Sequence, residues 1–123
     1  MPLEEVDMES ILTSVKKMLG IPEDVTEFDA DIIMHINSAF NVLRQLGIGP
    51  AKGFIVEDDS SNWTDFIEDQ VEVAPVKTYM YAKVRLIFDP PQNSSLAKCL
   101  EQTVNEFEWR MYIDAELKEE GGM

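Results

Sequence analysis

Apolar residues recur every three or four positions in the first part of the chain, the spacing of one helix face. The first such segment predicts a helix from Leu3 to Leu19, ended by Gly20. A second helix is expected to start at Asp29, whose carboxylate can cap the first amides, with Phe28 placed as a hydrophobic staple. It should end at Gly47. Its broad apolar face needs a partner surface and comprises Ile32, Ile36, Ala39, Phe40, Leu43 and Leu46.

The middle of the chain predicts an extended loop that carries one short strand. Gly49-Pro50 and Gly53 interrupt any helix, and Phe54-Ile55-Val56 is a β-prone run followed by the acidic run Glu57-Asp58-Asp59. A lone strand leaves its backbone N–H and C=O groups unpaired, and the sequence offers no obvious second strand. We therefore expect this segment to pair in a local hairpin or with another chain.

The second half of the chain predicts further helices. A short amphipathic helix from Trp63 to Gln70 is expected to be separated by Pro75 from a very apolar helix over 76–88. Asp89-Pro90-Pro91 should stop that helix, because proline cannot continue a helical ladder. Ser94 or Ser95 begins the last helix, whose apolar positions are Leu96, Leu100, Val104, Phe107 and Met111.

These elements together predict an all-α fold. We expect a compact helical bundle of four to five helices with one extended loop carrying a short strand. The chain of 123 residues should form a single domain, with an acidic N-terminal helix at 3–19 and a polar C-terminal tail at 116–123. The 45% content of hydrophobic residues provides a core and disfavours disorder.

Charge is abundant and unevenly distributed. The chain carries 24 acidic residues against 10 Lys and Arg, a formal charge of -14. Segment 57–72 has seven acids and no base, whereas segment 73–100 is basic through Lys77, Lys83, Arg85 and Lys98. Such a surface repels phosphate, which argues against tight, sequence-specific binding of nucleic acid. It leaves two alternatives: a protein past which DNA slides, or an acidic module that mimics DNA.

Candidate catalytic and metal-binding residues are few. Asp31 and His35 have the four-residue spacing that could share a metal ion, but no third ligand is apparent. Acid pairs such as Glu106 with Glu108, or Glu116 with Glu120, are expected by chance in so acidic a chain. Cys99 has no flanking motif for a nucleophile and is expected to be a small packing residue; as the single cysteine, it excludes an intrachain disulfide and suits a reducing compartment. No glycine-rich phosphate loop occurs, so the sequence predicts neither an enzyme nor a cofactor.

Aromatic and charged residues indicate contacts with other subunits. The predicted helix over 76–88 has little polar face, so part of it is expected to pack on another subunit. Lys83 and Arg85 could meet an acidic neighbour or pair within the chain. A contact between unlike patches, acidic 57–72 and basic 77–98, would be heterologous and would build a ring if it closes. Aromatic residues that could anchor an interface or simply form core are Trp63, Phe66, Tyr79, Tyr81 and Trp109.

Five segments, in this order, carry a resemblance to a known family. They are Asp31–Ala39, Gly47-Ile48-Gly49-Pro50 with Gly53-Phe54, Trp63-Thr64-Asp65-Phe66, the run over 76–91 that ends in Asp89-Pro90-Pro91, and Glu108-Trp109-Arg110. Over about residues 28–112 the chain resembles the small head-tail connector, or head completion, proteins of tailed bacteriophages and prophages. The acidic N-terminal helix before Phe28 lies outside these motifs.

The resemblance implies a compact helical subunit, made in the cytoplasm of a bacterial host, that works at the head-tail junction of the virion. It implies a homo-oligomeric ring below the phage portal protein, contact with the next tail or neck component, and passage of DNA without specific binding. It brings no catalytic residue, metal, cofactor or membrane contact. Together with the charge pattern, it gives a candidate inter-subunit interface of Phe54, Ile55, Val56, Glu57, Asp58, Asp59, Lys77, Tyr81, Lys83 and Arg85.

Overall fold

The computed structural model describes the backbone of residues 9–121 and the side chains of residues 9–117. Within them the protein is all-α, as predicted. Residues 3–8 of the predicted first helix and residues 122–123 of the predicted tail lie outside the described residues. The predicted first helix is wrong at Glu9 and Ser10, which precede α1, because the Ser10 hydroxyl accepts a hydrogen bond from the Thr13 amide and caps the helix. The five helices are α1 (Ile11–Leu19), α2 (Asp29–Gln45), α3 (Trp63–Phe66), α4 (Gln70–Phe88) and α5 (Ser94–Gly121).

Helix α4 is the centre of the bundle. It packs on α1, α2 and α5. A helix enclosed on several sides is expected to be apolar around most of its circumference. This explains the scarcity of polar positions in α4 without a second subunit, because Tyr79, Met80 and Val84 are buried by the protein's own chain. Two large apolar side chains of α4 stay exposed, Val71 at 82% and Ile87 at 51%.

Helix α5 packs along α4. The Phe107 ring stacks on Tyr79 with centroids 4.6 Å apart, and Leu100 and Val104 join the same core. Asn93 Oδ1 accepts hydrogen bonds from the second and third amides of α5 at 2.8 and 3.1 Å. Of the two predicted starts, Ser94 and Ser95, the structure has Ser94, and the helix continues through most of the predicted polar tail.

The helix boundary predicted at Pro75 is wrong. Helix α4 begins at Gln70, because Asp69 Oδ1 accepts hydrogen bonds from its second and third amides at 2.8 and 3.2 Å. Helix α3 correspondingly ends at Phe66. Pro75 lies inside α4 and removes one helical hydrogen bond to the carbonyl of Val71. Both residues are exposed, so water can satisfy that carbonyl.

The start of α2 also differs from the prediction. Phe28 itself is the N-cap residue and makes no side-chain cap; its ring lies edge-on to Phe88 at 5.7 Å. The Asp29 carboxylate forms an ion pair with Lys16 instead of capping the helix, with Oδ1 and Nζ 2.9 Å apart. Lys16 is only 3% exposed and also donates to the Glu23 carbonyl. Because an unpaired buried ammonium is costly, this ion pair ties α2 to α1.

Trp63, the first residue of α3, fixes the end of the preceding loop by packing against α1. Its side chain is fully buried, and Nε1 donates a hydrogen bond to Ser14 Oγ at 2.8 Å. Beside it, Ser10 and Asn62 form an isolated antiparallel bridge. No strand is found among residues 9–121, so the short strand predicted at 54–56 is not formed there.

Candidate interaction surface

One side chain of α2 holds the extended loop. Asn37 Nδ2 donates to the Val56 carbonyl at 2.9 Å, and Asn37 Oδ1 accepts from the Val56 amide at 2.8 Å. A single amide reaches both groups only where the N–H and C=O of one residue point the same way, as they do in an extended chain. The structure therefore replaces the predicted strand with a segment clamped to a helix, because Asn37 satisfies the backbone groups of Val56 that a partner strand would otherwise bind.

Side chains alternate along this segment, as expected of an extended chain. The Phe54 ring packs on Phe40, with centroids 5.2 Å apart. Ile55 is 69% exposed, Val56 is 1% exposed and Glu57 is exposed. Of the predicted interface residues here, Val56 acts as an anchor within the subunit, while Ile55 and Glu57 are available to a partner.

A surface concavity lies between this segment and α2, with a volume of about 530 Å³. Its apolar lining is Phe40, Phe54 and Ile55, and its charged lining is Arg44 and Lys52 with no acid. We call this site the basic concavity. In a chain with 24 acids, a cavity lined by two cations and no carboxylate favours an acidic occupant. The remaining lining residues are Asn37, Asn41 and Gly53.

Several acids of segment 57–72 stabilise local structure. Asp58 accepts hydrogen bonds from the amide and hydroxyl of Ser60 at 2.9 and 2.6 Å. These bonds hold the pKa of the Asp58 carboxyl below its usual value. Asp65 accepts the amide three residues before it, at 2.8 Å, where α3 begins, and Asp69 caps α4. The acidic run is therefore in part a set of turn and capping residues.

The predicted interface residues on α4 have partners within the chain. Lys77 Nζ lies 5.7 Å from the centroid of the Trp63 ring. Arg85 donates from Nη1 to the Tyr81 hydroxyl at 2.9 Å and from Nε to the Asp89 carbonyl at 2.8 Å. All of Lys77, Tyr81 and Arg85 are half-buried. Contacts within the chain therefore hold these three side chains of α4 in position.

Lys83, the other basic residue of that set, joins α4 to α5. Glu108 Oε2 accepts hydrogen bonds from Lys83 Nζ at 2.9 Å and from the Tyr79 hydroxyl at 2.7 Å. Burial, together with the Glu108 carboxylate, raises the pKa of Tyr79 far above its usual value. Of the two alternatives for Lys83, the structure shows the pair within the chain. Glu108, considered above as half of an acid pair, links two helices.

Two aromatic side chains are exposed on α5. Trp109 is 62% exposed and Tyr112 is 49% exposed, and their rings stack with centroids 6.0 Å apart. Of the other anchors considered, Trp63, Phe66 and Tyr79 are core residues and Tyr81 is half-buried. We call Trp109 and Tyr112 the aromatic knob. Tyr112 was not predicted from the sequence, although its three-residue spacing from Trp109 on the polar face of the helix was the available signal.

The candidates for chemistry are not assembled into a site. Among residues 9–117, whose side chains the structure describes, no group of three or more His, Cys, Asp or Glu could hold a metal ion. His35, paired with Asp31 by spacing, places its ring 6.4 Å from that of Phe88. The prediction that Cys99 is a packing residue is wrong, since it is exposed. It lies next to Leu100, whose side chain instead faces the core.

Comparison with known families decides the class of the protein. A family model described as Phage connector protein matches residues 11–118, most of the 123-residue chain. The chain belongs to this family. No curated protein and no solved structure gives a match.

Membership of the phage connector family confirms the resemblance found in the sequence. The matched residues include α1, which lies outside the 28–112 region that carried the resemblance. The family is one of structural proteins and indicates a connector role in the phage particle. Within the described residues of this connector protein, no helix has the length and apolar character needed to cross a bilayer.

Proposed function

We propose that this phage connector protein is a single-domain subunit of a ring that sits below the portal, extends the DNA channel and links the head to the tail. The family match over residues 11–118 carries the proposal. A rigid helical bundle with an exposed aromatic pair supports it, because Trp and Tyr are the side chains that most often anchor protein interfaces.

A ring requires each subunit to meet its neighbours through two different surfaces. We place the ten interface residues predicted from the sequence at these contacts. Strand pairing of residues 54–56 with a neighbouring copy stays a prediction, since Asn37 satisfies only Val56. Val56 would act by holding the segment in place, and direct contact would come from Phe54, Ile55, Glu57, Asp58, Asp59, Lys77, Tyr81, Lys83 and Arg85.

The charge of the chain fits passage of DNA without specific binding. A formal charge of -14 repels phosphate, so DNA would not adhere to a channel lined by enough of these carboxylates. We propose no catalytic step and no cofactor; the partners are further copies of the chain, the portal protein and the next tail or neck component. The alternative of a DNA mimic loses support because Asp58, Asp65 and Asp69 have structural partners.

Imaging of purified cognate portal, alone and after incubation with the full chain, tests this proposal. We expect an additional ring layer on one end of the portal, with density for several copies. Ile36→Asp provides the control, because Ile36 is fully buried and the folded subunit should be lost. A portal that gains no layer at saturating protein would contradict the proposed function.

A further inference from the structure

The extended segment 54–57 keeps one backbone edge open. In an extended chain, the N–H and C=O groups of successive residues point to opposite sides. The groups of Val56 face Asn37, so those of Ile55 and Glu57 face the other way. Among the described residues, no hydrogen bond reaches the backbone N–H or C=O of Ile55 or Glu57. Both residues are exposed, so another chain can reach this edge.

We propose that the open edge pairs two free copies of this chain as antiparallel strands. Ile55 of one copy lies opposite Glu57 of the other, and Glu57 of the first lies opposite Ile55 of the second. This register engages the N–H and C=O groups of both residues in both copies. The inference goes beyond the proposed ring and does not depend on it.

A second copy is the occupant because the edge complements itself. No strand is found in the backbone of residues 9–121, so the described part of a second copy offers this same segment and no regular strand. Asn37 covers the Val56 side of each segment, so two such segments meet only through their open edges. Identical edges that face each other in antiparallel strands are related by a two-fold axis. The contact therefore closes on two copies and adds no third.

Charge favours the antiparallel direction. Lys52 lies just before the segment, and the acidic run 57–59 ends it. These side chains are all exposed. Antiparallel strands place Lys52 of each copy near the acidic run of the other, whereas parallel strands would place the two acidic runs side by side. Attraction at both ends of the paired segment thus supports the proposed direction.

The contact is small, so the pairing is weak. Stable, specific interfaces bury about 1,200 Å² or more, and a segment that spans 54–57 is only about 14 Å long. A weak contact is suited to a pair that must separate, because Ile55 and Glu57 are also placed at the ring interface. Free copies therefore exchange this edge contact for ring contacts when they assemble.

Paramagnetic broadening of NMR signals in a mixed sample tests the pairing and its direction. One copy carries a nitroxide at position 51, through Ala51→Cys with Cys99→Ser, and the other is the isotope-labelled wild-type chain. Ala51 and Cys99 are both exposed, so the changes remove no core contact. As the concentration rises from about 10 μM to about 1 mM, we expect amide signals of residues 58–61 to lose more intensity than those of residues 50–53. The same sample with the nitroxide reduced is the control.

Two substitutions of Glu57 separate the backbone bond from the side chain. Glu57→Pro and Glu57→Ala both remove the carboxylate, but only proline removes the N–H that faces the second copy. Val56 is extended, the conformation that a following proline favours, and it keeps its bonds to Asn37. By sedimentation at the same concentrations, we expect Glu57→Pro to weaken pairing at least fivefold relative to Glu57→Ala. Melting at the temperature of Glu57→Ala shows that the proline variant is folded.

The opposite results are equally definite. No broadening at the highest concentration, or a stronger loss at residues 50–53 than at 58–61, would overturn the inference. Equal pairing of folded Glu57→Pro and Glu57→Ala would also overturn it. Signals of Ile55 and Glu57 that shift only when portal is added would assign the edge to the portal instead of a second copy. Failure of the proposed function is distinct, because it requires that the wild type adds no layer to the portal, whereas the pairing is measured without portal.

Discussion

Replacing Asn37 should release the extended loop from α2. The Asn37 amide is the partner of both backbone groups of Val56, at 2.8 and 2.9 Å, and Val56 is 1% exposed. Asn37→Ala leaves a buried N–H and a buried C=O without that partner. Asn37→Asp retains the acceptor for the N–H but places a carboxylate oxygen against the Val56 carbonyl, so we expect it to be at least as damaging.

The magnitude follows from the cost of the two lost bonds. Each buried backbone group left unpaired costs about 1–3 kcal/mol, and partial access of water to this edge of the fold favours the lower half of that range. We therefore expect Asn37→Ala to lower the free energy of unfolding by about 2–4 kcal/mol. With an unfolding entropy of roughly 2 cal/mol/K per residue, this corresponds to a fall in Tm of about 8–15 °C.

Urea unfolding followed by circular dichroism measures this loss. Asn41→Ala is the matched control, because Asn41 lies one turn further along α2 and its side chain accepts only an exposed bond from Arg44. The control should change stability by no more than about 0.5 kcal/mol. An Asn37→Ala protein as stable as the Asn41→Ala protein would refute the reasoning, since the two bonds would then contribute nothing.

Three further predictions concern the core and its polar contacts. Ile36→Asp should unfold the subunit, because burying a carboxylate at a fully buried position costs several kcal/mol; a soluble variant with unchanged melting would show that this α2 face is not core. Trp63→Phe removes the donor to Ser14 and should cost about 1–3 kcal/mol in urea unfolding, and an unchanged midpoint would contradict the role of that bond. The pKa of Tyr79 is raised in the fold, so the stability it contributes is complete below the unfolded value of about 10 and is lost as pH rises above it. Tyr79→Phe should therefore lose less stability than the wild type between about pH 9 and 11, and equal slopes in the two proteins would count against this linkage.

Local sequence patterns predicted most of the helical structure. Gly20 and Gly47 follow α1 and α2 with φ of 81° and 83°, a backbone conformation that favours glycine, so both helix ends could be located in advance. Two errors concern the residues that begin a helix. Pro75 was expected to separate two helices, but capping by Asp69 starts α4 earlier and the proline is tolerated on an exposed side. Asp29 was expected to be a cap, but the buried Lys16 takes its carboxylate.

The candidate interface could be predicted only in part. Ile55 and the following acids, which the sequence assigned to an interface, are exposed, and so is Trp109, which was weighed as an anchor. It could not show that Val56 is buried or that Lys83 is paired with Glu108, 25 positions away. The basic concavity also escaped prediction, because Arg44 and Lys52 are brought to one pocket by the path of the loop.

The sequence by itself determined that the protein is all-α, that it carries a large negative charge, and that it resembles phage connectors, because helix periodicity, charge and family motifs are all read along the chain. Tertiary structure alone decided which polar groups meet. Asn37 binds Val56 across 19 positions and Trp63 binds Ser14 across 49. Such pairs depend on how helices pack around α4, since burial forces each polar group to find whichever partner the packing brings within reach.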